Sequence, residues 1–198
     1  MVSPMLNIPD LEAARAAVRG GGVVAYPTEA VYGLGCDPLD ERAVARIAAL
    51  KGRPTGKGFI LIASHFSQLA PFCAVIGNAA WRRVKQTWPG PHTWVFPRTL
   101  KCPPWLHDRS AGIAVRVSAH PVAAALCDVC NCALVSTSAN LSGQPPLRTA
   151  REVADCFGEQ LDCIVEGDVG GAAAPTAIRD AASGRLIRQG ADEADDGE

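Results

Sequence analysis

Apolar residues in this chain recur at helical spacing in some stretches and in short continuous runs in others, and the two patterns alternate from end to end. Pro9 to Arg19 reads as a helix closed by Gly20, and the apolar run Val23-Val24-Ala25-Tyr26 that follows reads as a strand. Leu39 to Leu50 places apolar residues at Leu39, Ala43, Ile47 and Leu50, close to the period of a helix. Phe59 to Ile62 has the continuous apolar character of a buried strand, and Asn78 to Thr87 reads as another helix. Strands are expected at Trp94-Val95-Phe96, Ile113 to Val117 and Leu134 to Thr137, with a helix from Pro121 to Cys130 between the last two. Thr149-x-x-Glu152 has the form of a capping box opening one more helix, and Cys163 to Val165 and Arg185 to Arg188 are late strands. No repeat or linker interrupts the series, so residues 1–190 read as one α/β domain. Ala191 to Glu198 carries five acids in eight residues and reads as a disordered acidic tail.

Length and composition narrow this picture. A chain of 198 residues can enclose one substantial core and is short for two. With 48% apolar and 20% charged residues it resembles an ordinary globular protein, and no stretch reaches the roughly 18 continuous apolar residues of a membrane span. Met1 to Leu6 lacks a basic segment followed by an apolar core, so a cytoplasmic location is expected and no membrane association. Eight cysteines then read as reduced core residues. Cys127-x-x-Cys130-x-Cys132 is their one cluster, and it lacks a second Cys or His pair at zinc-ligand spacing, so no metal site is expected. The four histidines are scattered, and no nucleophilic triad stands out.

Charge is distributed unevenly. The formal net charge is −1, yet Arg42 to His107 contains ten Lys and Arg and no acid. From Arg151 onward the balance reverses, with four Arg against twelve acids. Such asymmetry suggests a positive face for an anionic ligand or partner, unless the two segments interleave in space and cancel.

Two short pairs carry the candidate chemistry. Lys51-x-Arg53 begins the run Lys51-Gly52-Arg53-Pro54-Thr55-Gly56-Lys57, directly before an apolar strand. Cations in a Gly/Pro loop suit a bound polyphosphate, because side chains and backbone N–H groups can both approach the anion. Ser138-x-Asn140 ends Ser136-Thr137-Ser138-Ala139-Asn140, small polar groups at the C-terminal end of a strand, where open α/β sheets commonly bind ligands. A basic loop is also ordinary solvated surface and a Ser/Thr run ordinary turn chemistry, so these residues alone leave both readings open.

Six motifs in order resolve the choice. Tyr26-Pro27-Thr28-Glu29-Ala30-Val31-Tyr32-Gly33-Leu34-Gly35, Lys51-x-Arg53-Pro54-x-x-Lys57, Trp88-Pro89-Gly90-Pro91, Ala114-Val115-Arg116-Val117, Ser136 to Gly143 and Leu186-Ile187-Arg188-Gln189-Gly190 resemble, in this sequence, the YrdC-like family. The resemblance spans about Leu6 to Gly190 and is nearest to the short bacterial branch. It implies a twisted, mixed α/β sheet enclosing a large, positively charged concave cavity. It also implies an enzyme that makes threonylcarbamoyl-adenylate from L-threonine, bicarbonate or CO2, and ATP, with release of pyrophosphate. Partner proteins would then carry the threonylcarbamoyl group to N6 of an adenosine beside the tRNA anticodon, and weak direct contact with tRNA is an accompanying expectation.

Under this resemblance Lys51, Arg53, Ser138 and Asn140 form the catalytic group, with Lys57 and Arg188 added on the ATP side. Thr28, Arg116 and Ser136 match positions around the threonine, with Arg116 opposite its carboxylate. Magnesium is expected with ATP, liganded mainly by phosphates and water, since no carboxylate cluster presents itself. The wider family commonly has Thr where this chain has Ala30, often His where it has Ile62, and a Ser-Thr-Val-Val-Asp pattern where it has Pro175-Thr176-Ala177-Ile178-Arg179-Asp180. A basic cavity suits RNA as well as ATP, so a non-catalytic RNA-binding or ribosome-maturation factor is the alternative. A carbamoyl-transfer domain of the hydrogenase-maturation type would bring paired Cys-x-x-Cys motifs, which this chain lacks.

Overall fold

The alternating apolar pattern folds into a sheet with helices on both faces. The computed structural model describes residues 7–53, 57–108, 112–172 and 176–189; the expected acidic tail lies outside them. The strands are β1 (Val24–Pro27), β2 (Tyr32–Gly35), β3 (Ile60–Ala63), β4 (Thr93–Pro97), β5 (Gly112–Val117), β6 (Leu134–Ser138), β7 (Cys163–Ile164), β8 (Ile178–Asp180) and β9 (Leu186–Arg188). The helices are α1 (Ile8–Arg19), α2 (Glu41–Leu50), α3 (Phe66–Leu69), α4 (Asn78–Lys85), α5 (Pro121–Cys130) and α6 (Ala150–Phe157). Among the described residues the strands form one sheet in the order β7-β1-β2-β6-β3-β5-β4-β8-β9. The pairs β1/β7, β3/β5 and β4/β8 are parallel and the rest antiparallel, which makes the sheet mixed.

Strand alternation sorts the core into two layers. Val24 and Tyr26 of β1, Ile62 of β3 and Leu134 of β6 face α1 and α5, whose Leu11, Val18, Leu126 and Cys127 complete that layer. Their sequence neighbours Ala25, Leu61 and Val135 face the opposite layer with Ile47 of α2 and the aromatic side chains of Phe72, Trp94 and Phe96. Each such buried apolar side chain contributes about 1.5–3 kcal/mol, so both faces of the central strands are anchored.

The predicted elements form with small shifts at their ends. Asp40 caps α2, its Oδ1 accepting from the backbone N–H groups of Arg42 and Ala43 at 2.9 and 3.1 Å. That cap leaves Leu39 outside the helix and 63% exposed, so this position does not belong to the apolar face expected from its spacing. The capping box of α6 has both of its reciprocal contacts. Three elements went unforeseen: β2, β8 and the one-turn α3. In β2 two glycines dilute the strand signal, but Gly35 admits what a side chain would exclude. A Cβ there would lie 2.5 Å from the Val135 carbonyl oxygen and 2.8 Å from the Tyr26 ring.

Candidate active site

The loop after α2 and the end of β6 are fastened together by one ammonium group. Gly52, at φ +57° with open space around it, turns the chain out of α2, and the Arg53 N–H donates to the Ala48 carbonyl at 2.9 Å. Lys51 is thereby left at the helix end with its side chain buried. Its Nζ donates to the Ser138 carbonyl, to the Asn140 carbonyl at 2.8 Å and to Asn140 Oδ1 at 2.9 Å. Asn140 Oδ1 also accepts from Ser138 Oγ at 2.6 Å, while its Nδ2 donates to the carbonyls of Leu141 and Gln144. Burial pushes the Lys51 amine down to about 8, with repulsion from Arg53 adding to the effect.

This knot forms one wall of a cavity of about 360 Å³ at the ends of β2, β3, β5 and β6, within the range of small-molecule sites. Thr28, Arg53, Arg116, Ser136, Ser138 and Arg188 all line it. Lys51, Lys57 and Asn140 do not: Lys51 and Asn140 hold the wall in place, and Lys57 is exposed to solvent. The Arg53 guanidinium stacks 4.9 Å from the centre of the Phe59 ring and donates to the Gly58 carbonyl at 2.5 Å. Arg116 on β5 is buried, 3.5 Å from Glu29 Oε2 and 3.4 Å from Thr176 Oγ1. Arg188 on β9 donates to the Thr176 carbonyl at 3.3 Å.

Among the described residues, three guanidinium groups therefore face one space, and Asp108 is the carboxylate that lines it. Loss of solvation lowers the pKa of Arg53 and of Arg188, and repulsion lowers them further, from Arg188 on Arg53 and from Arg116 on Arg188. Arg53 Nε and Arg116 Nε are buried without a hydrogen-bond partner among the described residues. Crowded cations with spare donors are what a polyanion relieves. Hydroxyls of Thr28, Ser136, Thr137 and Ser138 line the same space. Thr28 Oγ1 donates to the Val31 carbonyl at 2.7 Å, which leaves its oxygen free to accept.

The sequence reading missed the group that holds Arg116. Glu29 Oε1 accepts from Ser118 Oγ at 2.8 Å and from the Ala119 N–H at 3.1 Å, which turns Oε2 toward Arg116. Burial alone would raise the Glu29 pKa, but Arg116, Ser118 and the backbone N–H groups hold it below the ordinary carboxylate value. Glu29 stands inside the first motif, so its position was visible in the sequence and its partner was not. Ala30 lines the cavity, whereas Ile62 is fully buried in the layer with α1 and α5.

The family model Sua5/YciO/YrdC, described as "Telomere recombination", matches residues 16–190. This chain belongs to the Sua5/YciO/YrdC family. The threonylcarbamoyl-AMP synthase of Xanthomonas campestris pv. campestris is 48% identical over 186 residues, covering 93% of this chain and 100% of that protein. The threonylcarbamoyl-AMP synthase of Halorhodospira halophila is 51% identical over 176 residues, 89% of this chain and 92% of its own. The structure of P. abyssi Sua5 complexed with L-threonine matches with a TM-score of 0.81 at 35% identity, over 86% of this chain and 50% of that chain. The Sua5/YciO/YrdC match and the twisted mixed sheet agree with the fold class and family expected from the motifs.

Proposed function

We propose that this chain is an L-threonylcarbamoyladenylate synthase, a nucleotidyltransferase that uses L-threonine, bicarbonate or CO2, and ATP. The observation that carries this reading is the convergence of Arg53, Arg116 and Arg188 on one hydroxyl-lined cavity. Relatives that are about half identical and carry this enzyme's name support it.

The residues divide the reaction between them. In this reading Arg116, braced by Glu29, receives the threonine carboxylate, and Thr28 and Ser136, which line the same cavity, supply hydrogen bonds to its hydroxyl. The threonine nitrogen lone pair attacks CO2; a C–N bond forms, the amine gives up a proton and a carbamate results. A carbamate oxygen then attacks the α-phosphorus of ATP, a new P–O bond forms, and the bond to the bridging oxygen breaks as pyrophosphate leaves. The threonine carboxylate, the carbamate and the phosphates of ATP are all anionic, so the protein's contribution is to hold like charges in line. Arg53 and Arg188 neutralise phosphate oxygens, and Arg53 can do so with two parallel donors. Lys51 and Asn140 fix the Ser138 loop that closes this side. Among the described residues no three of His, Cys, Asp and Glu converge to hold an ion. Magnesium accompanying ATP would be held mainly by phosphate oxygens and water. The product is a mixed anhydride suited to transfer onto the N6 amine of a tRNA adenosine by a partner protein. We place this work in the cytoplasm; among the described residues no helix is long and apolar enough to cross a membrane.

The deciding experiment measures pyrophosphate release from ATP with threonine and bicarbonate supplied together or singly. Release is expected only when both are present. A protein that binds ATP or RNA yet releases no pyrophosphate under any combination overturns the reading.

A further inference from the structure

Cys127, Cys130 and Cys132 take no part in the site above, yet the fold gives them different surroundings. Cys127 is fully buried between α5 and the sheet, its Sγ donating to the Ile62 carbonyl at 3.7 Å. Cys130 ends α5 and is also buried. Cys132 is partly exposed and lines a second cavity, of about 510 Å³, away from the arginine site. Leu39 and Phe72 give that cavity apolar walls, and Asp37, Lys101 and Asn131 give it polar ones.

Asn131, between the two thiols, has φ 54° and ψ 35°, a left-handed helical turn. Backbone angles at the middle residue set the separation of the Cα atoms on either side. One left-handed helical residue gives the same spacing as a right-handed one, about 5.4 Å from helix radius and rise. That falls within the roughly 4.4–6.8 Å a disulfide spans. The Cys132 thiol is held below its ordinary pKa chiefly by Cys130, with Arg19 assisting and with burial and Asp37 opposing, while the same contact raises Cys130. Cys132 is the sulfur that reaches the cavity while Cys130 lies buried behind it, so Cys132 is the one an incoming disulfide can meet first.

We propose that Cys130 and Cys132 form a thiol–disulfide exchange site for low-molecular-weight disulfides of the glutathione type. Such a molecule carries carboxylates that suit Lys101 and an amino group that suits Asp37, and the cavity has room for it. In the first step the Cys132 thiolate attacks one sulfur of the small disulfide; its S–S bond breaks, and one small thiolate leaves. In the second, Cys130 gives up its proton and attacks Cys132 Sγ; the mixed disulfide breaks and the second small thiol departs with that proton. The protein pair is oxidised by two electrons, and the small disulfide is reduced to two thiols.

The test treats the folded protein with glutathione disulfide and maps the peptides without reduction by mass spectrometry. The expected product is a Cys130–Cys132 disulfide, two hydrogens lighter than the reduced peptide. Cys156, which is exposed on α6, provides an internal measure of general reactivity. Cys130→Ser should trap glutathione on Cys132, and Cys132→Ser should leave Cys130 unmodified. The proposal is overturned if Cys130 and Cys132 remain thiols after Cys156 has taken up glutathione, or if the natural chain keeps a stable glutathione adduct on Cys132. The natural chain alone distinguishes these results, even if a serine variant fails to fold.

Discussion

Lys51 and Arg53 stand two residues apart, but their surroundings assign them different tasks. A polar Gly/Pro loop by itself gives no reason for the fold to depend on either. The structure instead gives Lys51 Nζ three protein acceptors, two on Asn140 and one on Ser138. Lys51→Ala should therefore cost about 1–3 kcal/mol of stability, since three half-buried acceptors lose their donor, and thermal denaturation will show it alongside lost adenylate synthesis. Arg53→Ala should fold normally by circular dichroism and lose about 1.5–3 kcal/mol of ATP affinity by calorimetry. Titration separates the two further. The Lys51 amine, at about 8, is charged below that pH and neutral above it. A neutral amine has one donor fewer for the wall and no charge near the phosphates, so ATP affinity should fall as pH rises through about 8. Affinity that stays level to well above that pH would show that Lys51 titrates elsewhere or does not matter. On the amino-acid side, L-threonine should exceed L-valine in kcat/KM by about 100-fold or more, because a site that hydrogen-bonds a hydroxyl rejects an isostere lacking it. Equal turnover of the two would remove Thr28 and Ser136 from the pocket's reading of the side chain.

At the scale of elements, β2 and β6 decide whether the cavity has a back wall. β2 lies between β1 and β6, and Leu34 pairs with Thr137 and Gly33 with Ser138. Gly35 lets the Tyr26 ring and the Val135 carbonyl close over the strand at distances a methyl group would violate. Gly35→Ala should destabilise the protein by about 1–3 kcal/mol, the usual cost of overpacking. It should also reduce pyrophosphate release, because β6 carries Ser136, Thr137 and Ser138. Urea denaturation and the activity assay test this together, and an unchanged midpoint would mean that the strands part to admit the methyl group. The helices needed less help. α1, α5 and α6 are readable from periodicity and caps because their signals are local. β2 and β8 are short and polar or glycine-rich, and they are strands because of what lies beside them.

For the molecule as a whole, the basic and acidic segments of the sequence meet in space only in part. Arg46 forms a 2.6 Å ion pair with Asp162, and Arg83 donates to carbonyls at Ala181 and Ala182, so these cations are engaged by the C-terminal third. Arg82 and Lys85 on α4 remain exposed, Lys85 lying 5.6 Å from the Trp81 ring centre. If the protein touches tRNA, that contact should weaken steeply with salt as condensed counterions return to the phosphates. Arg82→Glu with Lys85→Glu should reduce it while adenylate synthesis continues. Filter binding across a salt series tests this, and binding indifferent to both changes would exclude α4 as the contact. The sequence by itself determined most of the helices and strands and their order, though not β2, β8 or α3, together with the family and most of the polar residues that line the site, because caps, periodicity and motifs are encoded over a few neighbours. Only the tertiary structure decided which of those residues face the cavity. It drew Lys51 and Asn140 into the wall, aimed Arg116 through Glu29, and brought Thr176 beside Arg188. Those outcomes depend on burial and on partners that are distant along the chain, such as Lys51 with Ser138 and Glu29 with Ser118, and no local pattern records which residues will meet.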